Sequence, residues 1–403
     1  MDALTTPSNW QRVRLGDIAT FLKGKGLSKS QVSPNAKHEC ILYGELFTHY
    51  DRVVTNIKSF TNIYDNPMLS LNNDVLMSGS AETPDILATA SCILKKGVIL
   101  GGDILIIRSD SNLLNGCFLA YCIVYDKNQV LSKVVGSTVY HLYAKDLKDF
   151  EILLPPLNEQ IAIANILSDV DHYLYALDAL ILKKESVKKA LSFELLSQRK
   201  RLKGFNQAWQ RVRLGTYKYR RGSFPQPYGN PQWYSDNGMP FVQVYDVGEN
   251  FKLNQKTKQK ISKIAQPMSV FVPKNSVIIT LQGTIGRVAL TQYDCYCDRT
   301  ILIFDNNTLN DVNKYFFVLS LFTKFEEEKR KADGSIIKTI TKQTLKDFEI
   351  LLPPLNEQIA IANVLSGLDH EIISLKNKKR QFENIKKALN HDLMSAKIRV
   401  LKK

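Results

Sequence analysis

No apolar run in this 403-residue sequence reaches the roughly 20 residues needed to cross a bilayer, since candidates such as Val98 to Ile107 are interrupted by glycine and aspartate. A membrane-spanning helix is therefore not expected. The six cysteines (Cys40, Cys92, Cys117, Cys122, Cys295 and Cys297) contain no C-x-x-C pair, and the opening MDALTTPSNW lacks the basic-then-apolar pattern of a secretion signal. This usage points to a reducing, cytoplasmic setting. Cys295 and Cys297 flank one tyrosine with no second Cys/His pair nearby, so they are expected to be a structural pair and no metal site is expected.

Enzymatic signatures are missing as well. There is no G-x-x-x-x-G-K-[ST] loop, no G-x-G-x-x-G after a strand, and no Asn-Pro-Pro-aromatic string, because both Pro-Pro pairs are flanked by leucines. An ATP motor and an amino-methyltransferase are not encoded. Pro84-Asp85 opens no nuclease motif, and His141, His172 and His370 form no catalytic set with other residues. The catalytic assignment is none, and the chain is not expected to be an enzyme.

What the sequence does contain is positive charge and a duplication. Lysine and arginine number 54 against 39 aspartates and glutamates, a formal charge of +15, which favours a polyanionic partner. With 44% hydrophobic and 23% charged residues, the composition is that of a folded protein of more than one domain. The string LKDFEILLPPLNEQIAIAN at Leu147 to Asn165 recurs unchanged at Leu345 to Asn363. WQRVRLG at Trp10 to Gly16 returns at Trp209 to Gly215, and KKALSFELLS at Lys188 to Ser197 is answered by KKALNHDLMS at Lys386 to Ser395. The chain is two tandem copies of one unit, and the period is far too long for a solenoid repeat.

Each copy changes character at its double proline. Before it, short apolar runs separated by turn residues (CILYGEL, DVLMSGS and GGDILIIRSD; MPFVQVYDVG, NSVIITLQGTIGRVAL and RTILIFD) read as strands. After Pro155-Pro156 and Pro353-Pro354, the Asn158 and Asn356 side chains suit helix N-caps. Apolar residues then recur at helical steps: Val170, Leu174, Leu177, Ile181, Val187, Leu191 and Leu195 in the first copy, and Leu368, Ile372, Leu375, Ile385, Leu389 and Leu393 in the second. A seam about 60 Å long at 1.5 Å per residue cannot stay bare, so the two helices are expected to pair antiparallel. Lys184 and Lys379 interrupt the seam and are expected to fix its register. The fold class is thus α+β, with two β-rich domains separated by two long antiparallel coiled-coil helices in a pseudo-two-fold duplication. The expected division is 1–155, 156–204, 205–353 and 354–403.

A variable β-rich domain followed by L-x-x-[FIL]-x-[IL]-x-[LI]-P-P-L-x-E-Q and a long helix, the whole repeated, resembles the specificity subunits of type I restriction-modification systems. The resemblance covers essentially the entire chain. It implies a non-catalytic subunit whose 1–155 and 205–353 segments are target-recognition domains for a bipartite double-stranded DNA site, joined by conserved spacer helices. It further implies two methyltransferase subunits docked on the spacer and two motor-nuclease subunits joined through them. S-adenosylmethionine, magnesium and ATP would belong to those partners, with no cofactor in this chain. The competing readings are a homomeric DNA-binding regulator, which would show a helix-turn-helix, a stand-alone restriction-methylation enzyme, which would need the missing motifs, and an assembly scaffold, which would not need such unlike domains.

Expected DNA contacts are polar, basic and aromatic residues on glycine-containing loops. In the first domain these are Lys23, Lys25, Lys29, Ser78, Ser80, Lys133, Ser137, Tyr140 and His141. In the second they are Arg220, Arg221, Tyr228, Gln232, Trp233, Gln282, Thr284, Arg287 and Lys338. The repeated string supplies the expected partner-binding set: Pro155, Pro156, Glu159 and Gln160, with Pro353, Pro354, Glu357 and Gln358.

Overall fold

The structure, a computed structural model, describes residues 9–63, 65–248, 250–283, 285–331 and 345–400. Helices and sheets are both extensive, as the α+β reading expects. Contacts divide the chain into two units, Met1–Leu180 with Lys376–Lys403, and Ile181–Leu375. Each unit therefore takes the first half of the long helix that follows its own β-rich domain and the second half of the other long helix. The division passes through the helices, whereas the four expected segments were consecutive in sequence.

In the first unit the main sheet has five strands in the order Ala19–Lys23, Ile104–Ser109, Asp74–Ser78, Ser91–Ile93, Val53–Val54. Its second strand, which carries the ILII run, is paired antiparallel with both neighbours, and Ile104 and Ile106 are fully buried. Residues of one parity face the cluster containing Leu105 and Ile107, and those of the other face Ile104 and Ile106, so this strand is buried on both sides. CILYGEL differs from expectation: only His38–Ile41 is a strand, and Glu45–Thr48 is a helical turn with Glu45 buried. The Glu45 carboxylate accepts the Leu42 amide at 2.8 Å, so a side chain offers this backbone an alternative to the sheet ladder.

The second unit has two four-stranded sheets. One runs Tyr219–Arg221, Ile301–Phe304, Val277–Thr280, Val288–Leu290; the other runs Gln259–Ile261, Tyr234–Val242, Cys295–Cys297, Val270–Val272. Cys295 and Cys297 are both buried in the second of these, as expected for a structural pair. Each unit also closes with the same two-stranded ribbon: Gln11–Arg14 against Glu151–Leu154, and Gln210–Arg213 against Glu349–Leu352, in identical register.

The long helices span Leu157–Leu196 and Leu355–Met394. They begin one residue before Asn158 and Asn356, so these asparagines sit inside the first turn, where their side chains accept the Glu159 and Glu357 amides at 2.9 Å, rather than at the N-cap. In the first unit Lys386 pairs with Asp171 and Lys379 with Asp178; in the second Lys188 pairs with Asp369 and Lys184 with Glu371. Rising numbers on one helix meet falling numbers on the other, so the packed segments in each unit are antiparallel. Val187 and Ile385, placed on the apolar seam by periodicity, are instead 45% and 50% exposed. The seam positions beside them are held by Lys188 and Lys386, whose stems pack while their ammonium groups reach a carboxylate.

Candidate nucleic-acid interface

The repeated string acts first as a frame. Glu159 and Glu357 are almost fully buried. Glu159 accepts the Trp10 indole N–H at 3.2 Å and both arms of the Arg399 guanidinium at 2.6 and 2.8 Å. Glu357 does the same with Trp209 at 3.1 Å and Arg201 at 3.0 and 2.5 Å. Bidentate bonding to the carboxylate raises the guanidinium pKa of both arginines further. Gln160 accepts the Asn115 amide at 2.8 Å and donates to the Pro155 carbonyl at 2.8 Å; Gln358 accepts from Asn313 at 2.9 Å and donates to Pro353 at 2.8 Å.

The structure places most of the expected partner-binding set inside the chain. Glu159, Gln160, Glu357 and Gln358 have their polar atoms committed within the chain, because a buried carboxylate or amide left unpaired would be costly. Pro155 and Pro353 are buried too, and Pro156 and Pro354 are half-buried. The same helix turns leave other side chains outside: Asn158 and Asn356, and Ile161 and Ile359, the isoleucines 40% and 41% exposed.

A second recurring contact fixes each β-rich domain to the helices. Tyr121 donates its hydroxyl to Asp171 at 2.8 Å while Lys386 bonds the same carboxylate. Tyr315 donates to Asp369, which also takes Lys188. The two aspartates are equivalent, but the tyrosines are not: Asn115 and Asn313 head matching helices, and Tyr121 lies six residues on while Tyr315 lies two. The hydroxyl thus reaches the same carboxylate from different helical turns. Burial is the main reason both phenol pKa values rise, with the adjoining aspartate adding to it.

The expected DNA contacts separate into four groups. Exposed on the surface are Lys23, Lys25, Lys29, Lys133 and Ser137 in the first unit and Arg220, Arg221, Gln232 and Gln282 in the second, while Tyr140 and His141 are half-buried. The strands Val135–Gly136 and Tyr140–His141 form a hairpin against Ser80–Ala81, and Gly136 is required at its turn, with φ +120° and the Val139 carbonyl occupying the space of a β-carbon. Several of the exposed cations are already engaged: Lys23 with Asp103 at 2.9 Å, Lys25 with the Asn66 carbonyl at 3.1 Å, Arg220 with the Phe271 carbonyl at 3.1 Å. The Lys23 bond is the main reason the Asp103 carboxyl is held below its usual range despite partial burial, and the Ser80 hydroxyl adds to it.

Ser78, Ser80, Tyr228 and Arg287 are engaged within the fold. Ser78 and Ser80 are buried, their hydroxyls bonded to the Ser80 carbonyl and to Asp103. The Tyr228 hydroxyl goes to Asp298, and the ring packs on Phe224, burial being the first cause of its raised pKa. Arg287 donates to the Val247 carbonyl at 3.1 Å. Trp233 is half-buried in an aromatic cluster. Thr284 and Lys338 lie outside the described residues. A lysine-rich segment missed by the loop criterion, Lys252 to Lys263, has four of its five lysines exposed; its signal was local charge density and not glycine content.

The type I restriction modification DNA specificity domain model matches residues 7–185 and 226–384, most of both repeats. The chain belongs to that family. This specificity subunit is 25% identical over 99% of its length to the type I restriction enzyme MjaVIII specificity subunit of Methanocaldococcus jannaschii, covering 95% of that protein. It is 29% identical over 74% of its length, and 72% of the relative's, to a specificity subunit attributed to the MjaX enzyme of the same archaeon. Among solved structures, the S subunit from M. genitalium shares the fold with a TM-score of 0.65 at 16% identity, over 97% of both chains. A chain from a structure of type I system assembly and conformational transition superposes with a TM-score of 0.55 at 17% identity, over 97% of this chain and 98% of its own. Among the described residues no helix is long and apolar enough to cross a membrane, and no cluster of metal-ligating side chains occurs.

Proposed function

We propose that this subunit reads a bipartite double-stranded DNA site in the cytoplasm, one half with each β-rich domain, and presents it to catalytic partners. The observation that carries this reading is the contrast within the duplication: the frame is repeated residue for residue while the domains it holds differ. One surface meets two copies of the same partner and the other reads two unlike sequences. The partners are two methyltransferase subunits, which would bring S-adenosylmethionine, and two motor-nuclease subunits joined through them, which would bring ATP and magnesium. Exposed side chains repeated on both helices, Asn158 with Asn356, Ile161 with Ile359 and Val187 with Ile385, suit a docking surface used twice. The helices act as a coiled-coil spacer of pseudo-two-fold design.

Genome-wide mapping of methylated adenines with and without this gene tests the reading. A split motif that vanishes with the gene is expected, and unchanged methylation would overturn it. The purified chain alone is expected neither to methylate nor to cut DNA; methyl transfer by the chain free of any partner would refute the non-catalytic assignment. Four residues inserted between Asn165 and Asp169 would add about 6 Å of helix, close to two base pairs at about 3.4 Å each. The spacer role requires a longer unread gap between unchanged half-sites.

A further inference from the structure

We propose that Lys256, Lys258, Lys260 and Lys263 form a backbone rail in the second β-rich domain, which grips the phosphates of one DNA strand without reading its sequence. The proposal rests on the reading of this chain as a DNA-specificity subunit. It adds a binding surface absent from the loop residues that the sequence singles out.

Charge density marks the place. From Phe251 to Gln266 the sequence FKLNQKTKQKISKIAQ carries lysine at 252, 256, 258, 260 and 263 and no acidic residue. Exposure then alternates along the segment. Lys256, Lys258 and Lys260 are exposed, Thr257 and Gln259 are half-buried, and Ile261 is fully buried. Lys256 and Lys258 lie in the bends that lead into the Gln259–Ile261 strand and Lys260 lies in the strand itself, so the three follow one another along the exposed side of the segment. At no more than about 6.6 Å per two residues they span at most roughly 13 Å. A DNA strand carries one phosphate per nucleotide, about every 3.4 Å of helix axis and farther apart along the winding strand itself, so each lysine of the rail can meet one phosphate.

The cations hold no carboxylate among the described residues, although Lys260, like Lys25 and Arg220, is engaged by a carbonyl, and their backbone is fixed. Among the described residues none of these four ammonium groups is paired with a carboxylate: Lys258 lies 5.1 Å from the Tyr245 ring centre, and Lys260 donates to the Asp236 carbonyl at 2.9 Å. In the first unit, by contrast, Lys23, Lys95 and Lys127 already hold Asp103, Glu39 and Asp85. The buried Asp246 carboxylate accepts the Lys258 and Gln243 amides, each at 2.9 Å, and its carbonyl accepts the Asn254 amide at 2.9 Å. Gln259–Ile261 then joins the Tyr234–Val242 strand, and Ser262 bonds the Gln232 and Trp233 carbonyls at 2.6 and 2.9 Å. Little backbone ordering remains to be done on binding. These bonds place the rail directly beside Gln232, an exposed candidate base reader. Lysine is a point charge without the planar fork that reads guanine, which suits phosphate contact.

Gln259–Ile261 is also an edge strand, and lysine there discourages pairing with other chains. The two roles give different results in one experiment. Binding of the full chain, assembled with its methyltransferase partners, is measured across salt concentrations on a short duplex of arbitrary sequence and on one carrying the motif mapped by methylation. The variant K256Q/K258Q/K260Q/K263Q is expected to lower the slope of log affinity against log salt by about 3 to 4, at about 0.9 per lost phosphate contact. Affinity for both duplexes should fall by the same factor. A matched variant, K95Q/K127Q/K200Q, removes lysines paired to surface carboxylates and should change the slope far less. An unchanged slope, with or without aggregation, overturns the rail, as does a loss confined to the mapped motif or an equal effect from the matched variant. Wild-type assembly that binds neither duplex would instead overturn the underlying DNA reading.

Discussion

The two units of this subunit hold the same frame around different contents. Each has a buried glutamate clamped by a tryptophan and an arginine, a glutamine joining the proline turn to a capped helix, and an aspartate shared by a tyrosine and a lysine. Yet the first domain centres on a five-stranded sheet and the second on two four-stranded sheets. Residues that must satisfy buried charge have few alternatives and stay the same, whereas strands that need only bury apolar area in a set pattern can change freely.

The sharpest way to break this equivalence is at the tryptophans. Trp10 is 5% exposed and belongs to the core, while Trp209 is half-buried at its edge. Trp10→Ala is expected to cost about 3–5 kcal/mol in chemical denaturation and Trp209→Ala clearly less. Equal losses would mean that the carboxylate clamp, and not packing, dominates both sites.

The shared aspartates sharpen the comparison from the other side. Asp171→Asn and Asp369→Asn each remove a charge bonded to a lysine and a tyrosine, and each is expected to cost about 1–3 kcal/mol. The costs should match, since the carboxylates are equivalent although the tyrosines come from different turns. A large disparity would show that the helical turn supplying the hydroxyl matters more than the bond.

Within the second domain, Arg221 and Arg287 should separate. Arg221 is exposed, and its replacement by alanine should lose about 1–3 kcal/mol at one base of one half-site if it reads a guanine edge. Arg287→Ala, which frees the Val247 carbonyl, should lower domain stability and weaken that half-site at all positions. Competition binding with single-base variants of the mapped motif distinguishes them.

The smallest effect is alkaline. Burial pushes the phenols of Tyr50 and Tyr217, one in each unit, up to about 12. A raised folded pKa contributes stability that is complete below the unfolded value of about 10 and is lost as pH rises through the folded one. Tyr217→Phe should therefore leave stability at pH 7 nearly unchanged and flatten its decline from about pH 10 to 12. Tyr50→Phe should flatten it too but cost stability at every pH, because Tyr50 accepts the Lys58 amide at 3.0 Å. Denaturation midpoints across pH check both, and an unaltered alkaline slope in Tyr217→Phe would contradict this account.

Much of the architecture was legible from the amino acids alone. An unbroken string repeated after 198 positions defines a duplication, and prolines followed by helical periodicity define where each long helix starts to within a residue. Strands such as Asp74–Ser78 and Ile301–Phe304 were visible as apolar runs because local pattern and burial agree there. Roles that depend on neighbours far along the chain were not legible. Ser80 looks like a loop hydroxyl until Asp103 comes beside it, and Glu159 looks like a surface acid until Trp10 and Arg399 close over it. Val187 fits the apolar seam by spacing, but Asp369 draws Lys188 into that position. Residue type and spacing determine which elements form, since those energies are local; which polar group is buried, paired or left for DNA is decided only when distant segments meet, because desolvation and its compensation are properties of the packed whole.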